Sequence, residues 1–142
     1  MKIDTEWKNQ LEGSLDHFLQ LTPLIINTLN RSDFPLTGGL YMFSRLDDKE
    51  CIYIGKSGNL RNRVFDAHLK GNGKSSFRNA LLGLKKTRKH AAVTTEETLD
   101  DYIKTNYILR FQEVTDILYR GCLEDYANAV LKPEYSVSLS MK

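Results

Sequence analysis

The chain has 142 residues, 41% hydrophobic and 27% charged, which supports one core and leaves little room for a second domain. No apolar run approaches the roughly 20 residues of a membrane span, and the polar start Met1-Lys2-Ile3-Asp4-Thr5-Glu6 is unlike a secretory signal; a cytoplasmic protein is expected. The net charge of +2 conceals a segregation: residues 56–90 hold ten basic residues and one acid, Asp66, a surplus of +9, while the remainder holds ten bases and seventeen acids, or −7. Such a basic stretch is the electrostatic footprint of a polyanion partner; its bland counterpart is a solvated helix face balanced by acidic neighbours.

In chain order, residues 4–30 show helical spacing through Trp7, Leu11, Leu15, Phe18 and Leu19. Thr22-Pro23 has the form of a cap followed by a first-turn proline, so a second short helix is expected there. Residues 32–37 form a connector. The period then changes. Residues 39–44 and 51–55 are short, apolar and rich in aromatic or β-branched side chains, with the polar stretch 45–50 between them, which predicts a β-hairpin. With Asp47 near the tip, Tyr41 falls opposite Tyr53 on one face, and Leu40, Met42, Ile52 and Ile54 point to the other. Asn59 is expected to cap a helix ending near Lys70, where Gly71-Asn72-Gly73 follows. Ser75 or Ser76 can cap another through Leu84. Residues 87–95 read as a loop, 98–105 as a short helix, 107–114 as a third strand, and 115–131 as a last helix stopped before Pro133. Cys51 and Cys122 are far apart, form no CxxC pair, and are expected to be small buried hydrophobes.

Several residues form a familiar pattern. Gly39-Leu40-Tyr41 resembles the first motif of the GIY-YIG nuclease family, with Leu in place of Ile, and Tyr53-Ile54-Gly55 resembles the second. Asn59-Leu60-Arg61-Asn62-Arg63 resembles the helix that carries the family's arginine, with Arg63 at the matching position. Leu123-Glu124, followed by Lys132-Pro133-Glu134-Tyr135, resembles the metal-binding glutamate and the close of the domain. Two departures stand out: Ser136 follows Tyr135 where the family often has Asn, and His68 lies five residues after Arg63, one more than in some members. The resemblance implies an α+β (α/β) domain at 37–136, with a small, three-stranded, mostly antiparallel sheet flanked by helices. It leaves a helical extension at 1–36 and a tail at 137–142.

The resemblance further implies a metal-dependent endonuclease, a hydrolase of nucleic acid and in the first instance of DNA. The alternative is a binding module of the same fold that cuts poorly. Phosphodiester hydrolysis needs a deprotonated water, a stabilised phosphate charge and alignment. Magnesium or manganese supplies much of this as a Lewis acid, and magnesium can manage with one carboxylate because it keeps several waters. Glu124 is the implied ligand; its bland reading is a surface pair with Arg120 one turn away. Tyr41 is the implied general base, although a phenol with a pKa of ~10 needs a nearby cation to serve at neutral pH. Tyr53 would hold the water or phosphate, and Arg63 would bridge the scissile phosphate. Lys56, His68 and Lys74 are supporting candidates. Arg61, Lys70, Arg78, Lys85, Lys86, Arg88 and Lys89 are candidate phosphate contacts, which position a substrate without reading its sequence. No helix-turn-helix or zinc finger is present to read bases. Specificity is therefore expected to be low or borrowed from a partner protein, and a homodimer would suit an enzyme that cuts both strands.

Overall fold

The computed structural model describes residues 4–84 and 91–135. Helix α1 spans Thr5–Leu19, and Asp4 caps it by accepting the Trp7 N–H at 3.0 Å. Its buried stripe is Leu11, Leu15 and Phe18. The helix expected after Pro23 does not form. Leu24–Ile25 is instead a short strand, β1, followed by a 3-10 turn at Ile26–Thr28. The backbone groups of these two residues pair antiparallel with Leu109 and Ile108, partners that an isolated first helical turn would lack.

The sheet accordingly has four strands rather than three, all antiparallel, in the order β1-β4-β2-β3. Strand β2 is Gly39–Arg45, β3 is Cys51–Ser57 and β4 is Tyr107–Glu113. The hairpin register differs from the expected one: Tyr41 lies opposite Gly55, and Phe43 opposite Tyr53. A bulge then pairs Ser44 with Cys51, leaving Ile52 as the extra residue. Tyr41 and Tyr53 are thus diagonal neighbours on one face, with ring centroids 6.2 Å apart. Ile52, displaced by the bulge, joins their side instead of packing with Leu40, Met42 and Ile54.

Each face of the sheet buries its own cluster. On the first, Tyr41, Phe43 and Tyr53 pack with Val64, Leu69, Phe77, Leu81, Leu99 and Ile103. On the second, Leu40, Met42 and Ile54 pack with Leu11, Leu15 and Phe18 of α1 and with Leu123 and Ala127 of α4 (Ile117–Leu131). Each of the three α1 side chains contributes about 1.5–3 kcal/mol of burial, so the N-terminal helix is part of the core packing. The Ser14 and Tyr119 hydroxyls add a hydrogen bond between α1 and α4.

Asn59 caps the next helix as expected, accepting the Asn62 N–H at 3.1 Å. The helix itself, Arg61–Leu69, is a π-helix. Its wide turn shows where the Lys70 N–H donates to the Phe65 carbonyl, five residues back, at 3.0 Å. Helix α2 spans Ser76–Leu81, shorter than the expected run to Leu84 because Gly83 takes a positive φ of 71°. Helix α3 is Leu99–Asn106. Lys132 ends α4 in the left-handed region, with φ 48°, immediately before Pro133. No helix among the described residues is long and apolar enough to cross a membrane.

Candidate active site

The motif glycines make room for the tyrosine. A side chain at Gly39 would run into the Gln112 carbonyl of β4, so only glycine lets β2 approach β4 there. A methyl group at Gly55 would overlap the Tyr41 hydroxyl and its ring carbon. Opposite Gly55, the Tyr41 side chain therefore lies flat across β3 and is fully enclosed. Its hydroxyl is 2.7 Å from His68 Nε2. His68 Nδ1 is in turn 2.6 Å from Ser75 Oγ. Ser75 Oγ also accepts the Arg78 N–H at 3.0 Å, because Ser75 is the N-cap of α2. The result is a buried polar chain, Tyr41–His68–Ser75, in which every member has a partner. Tyr53 makes a parallel contact, 2.7 Å from Ser76 Oγ.

Arg63 and His68 both lie on the π-helix Arg61–Leu69. A π turn is wider than an α turn, and within it Arg63 is exposed while His68 is buried. The imidazole on this helix meets Tyr41. Arg63 itself is exposed, donating a long 3.4 Å bond to the Lys74 carbonyl.

Burial sets the protonation states. It raises the Tyr41 phenol well above its ordinary value; Tyr53 and Glu124 push the same way, and Arg63 opposes them. Burial pushes the His68 imidazole down to about 3, with help from Arg63 and Arg78. His68 is thus neutral at physiological pH. Glu124 is half-buried on α4, and burial raises its carboxyl pKa; Lys56 pulls it back and Asp125 adds to the rise. Charge on Glu124 and on Arg63 is felt at Tyr41.

Other predicted residues lie elsewhere. Arg61 donates to the Phe34 carbonyl at 2.8 Å. Lys70 sits over the Phe65 ring at 5.3 Å. Arg78 is engaged by the carbonyls of His68 and Leu69 and by Asp100 at 2.7 Å, so its geometry is that of a brace between the π-helix and α3. Lys56 and Lys74 are exposed. Lys85, Lys86, Arg88, Lys89 and Ser136 lie outside the described residues. Glu124 forms no ion pair with Arg120. Cys51 and Cys122 are half-buried rather than fully buried, and burial pushes the Cys51 thiol up to about 12, which keeps it protonated. Sequence reasoning treated Ser75 and Ser76 only as helix caps. A cap signal identifies a serine that binds backbone N–H groups, but not the side chain brought to it by a distant turn.

No group of three or more His, Cys, Asp or Glu side chains among the described residues is arranged to hold a metal. A single half-buried carboxylate, penalised by its own desolvation, nonetheless fits a hard cation that keeps most of its waters. It does not fit zinc, which takes three or four protein ligands.

Residues 37–121 match the GIY-YIG catalytic domain. The chain belongs to the GIY-YIG family. This is a family of metal-dependent nucleases. The match ends three residues before Glu124. No curated protein matches the chain significantly. Among solved structures, the chain is similar to the GIY-YIG N-terminal endonuclease domain of UvrC from Thermotoga maritima. The magnesium-bound form is 21% identical, covering 73% of this chain and 88% of that one, with a TM-score of 0.42. A tyrosine-to-phenylalanine mutant bound to its catalytic divalent cation is 21% identical, covering 73% and 87%, with a TM-score of 0.43.

Proposed function

We propose that this GIY-YIG domain is an endonuclease that hydrolyses phosphodiester bonds in DNA with the help of magnesium or manganese. The observation that carries the reading is the 2.7 Å contact between the Tyr41 hydroxyl and a histidine held neutral by burial. With its proton on Nδ1, donated to Ser75 Oγ, His68 offers Nε2 as an acceptor to Tyr41. Tyr41 can then take a proton from the attacking water as its own proton passes to His68. Two charges bear on this transfer. Arg63 lowers the Tyr41 phenol and also lowers His68. A phosphate bound at Arg63 would offset its charge at both groups, which makes the imidazole a better acceptor and the phenol a weaker donor. Arg63 would also stabilise the charge that develops on the phosphate, and Tyr53, fixed by Ser76, would orient the water or a phosphate oxygen. Glu124 would hold the cation, which polarises the phosphate and offsets the carboxylate charge that raises the Tyr41 phenol.

One observation favours the binding-module alternative. In the free protein, Tyr41 is raised and His68 is lowered, and both shifts oppose proton transfer. A cleavage assay on supercoiled plasmid separates the two readings. Wild type and Glu124→Ala are compared with magnesium, with manganese and with a chelator. The nuclease reading expects metal-dependent nicking or linearisation that Glu124→Ala loses while DNA binding persists. Salt-sensitive binding without cutting, on plasmid and on branched DNA, would establish the module instead.

A further inference from the structure

Arg120, on the first turns of α4, belongs to none of the motifs, yet it is 8% exposed. Its guanidinium donates to the Val114 carbonyl at 3.2 Å and enters no ion pair among the described residues. It fills the space where any side chain at Gly38 would stand, beside the start of β2. A guanidinium has five N–H donors, and burying it without a counter-charge is unfavourable. Arg120 lines an open depression of about 260 Å³ together with Lys56, Ser57, Gly58, Arg63 and Ile117. Three of these six residues are cationic and none is acidic. A second depression, of about 300 Å³, shares Ser57 and Arg63 with the first and continues past Asn59, Asn62 and Gly73 to Lys74. The two form a trough with Arg63 at its middle and Arg120 at one end. At the rim beside Arg120, Ile117 is 77% exposed, an aliphatic surface bordering a cationic floor.

We propose that Arg120, with Lys56, forms a subsite for a backbone phosphate next to the one held by Arg63, with Ile117 against the adjoining sugar. The ligand class is the sugar–phosphate backbone of a nucleic-acid strand. The inference rests on the proposed nucleic-acid reading and extends it by fixing the path of the strand. Arg120 acts here as a binding and positioning residue, because it supplies the counter-charge site and not the reacting groups.

The test is fluorescence anisotropy of the full chain, in chelator, with a short labelled DNA duplex over a range of salt concentrations. Each phosphate contact contributes a slope of about −0.9 to the log–log plot of affinity against salt. Arg120→Gln is expected to flatten the slope by about 0.9 and to weaken binding roughly tenfold at low salt. Arg120→Lys is expected to keep most of the slope. Ile117→Glu serves as a second variant, because an exposed position tolerates charge without unfolding and would set a carboxylate against the bound phosphate. It is expected to weaken binding while the melting temperature stays at the wild-type value. Wild-type slope and affinity in a folded Arg120→Gln, or in Ile117→Glu should Arg120→Gln fail to fold, would overturn the subsite, as would no DNA binding by the wild type. A chain that shows the expected slopes but never cuts DNA would leave the subsite standing and remove only the hydrolytic reading.

Discussion

The buried chain Tyr41–His68–Ser75 and the open rim of Lys56, Arg63 and Arg120 lie in one site but follow opposite electrostatic rules. Within the chain every group is neutral, and each polar atom is matched at 2.6–2.7 Å. On the rim the groups are a lysine and two arginines, and none of the three is ion-paired among the described residues. In the enclosed half, desolvation decides protonation, and it holds a tyrosine and a histidine away from their ionised forms. In the open half, water screens the exposed Lys56 and Arg63, while Arg120 is buried beneath them without a carboxylate partner among the described residues. The contrast shows how one site can hold polar groups neutral by burial beside cations that carry no carboxylate partner among the described residues.

The largest effect is expected at Glu124, half-buried on α4. Glu124→Ala is expected to reduce plasmid cleavage about a thousandfold, since metal-derived stabilisation is worth several kcal/mol; gel-based rates measure it. Next is the wall beneath the buried chain. Gly55→Ala forces a methyl group into the Tyr41 hydroxyl and is expected to cost about 1–3 kcal/mol in urea unfolding, with loss of cutting.

The neutral state of His68 gives a pH signature. Unfolded, the imidazole titrates at its ordinary 6.5; folded, it titrates at about 3. Below pH 6.5 the unfolded chain gains a proton that the fold refuses, so stability falls as pH drops from 6.5 towards 3 and is unaffected above. Between pH 7 and pH 4.5 the wild type should lose about 2–3 kcal/mol more than His68→Gln, as read from unfolding curves at the two pH values. The smallest effect is expected at Arg78. Because it braces the π-helix and α3, Arg78→Ala should cost about 1 kcal/mol of stability and leave the salt dependence of DNA binding unchanged.

Much of the site's framework was legible in the sequence because it is local. Alternating aromatics marked the hairpin, Asn59 marked a helix start, and Pro133 marked the end of α4. What could not be read depends on distant partners or on single-residue shifts. Strand β1 is two residues long and exists because β4 offers it an edge. The bulge at Phe43–Ser44 moves Ile52 to the other face, and hydrophobic alternation carries no mark of it. The π turn is likewise invisible to a 3.6-residue period, yet it is the element that carries His68. Arg120 read as an ordinary helix partner of Glu124; its burial comes from Gly38, 82 positions away. Arg78 read as part of the basic surface, and only the fold shows the carbonyls and the carboxylate that engage it.

In the proposed reaction, Tyr41 and His68 act as one proton-handling unit across their 2.7 Å contact. Single-turnover plasmid cleavage by the wild type, Tyr41→Phe, His68→Gln and the double variant tests it most directly. The account predicts that each single variant cuts far more slowly than the wild type and that the double variant is no slower than Tyr41→Phe alone. A Tyr41→Phe variant that cuts at the wild-type rate, or a double variant whose loss is the product of the two single losses, would contradict it.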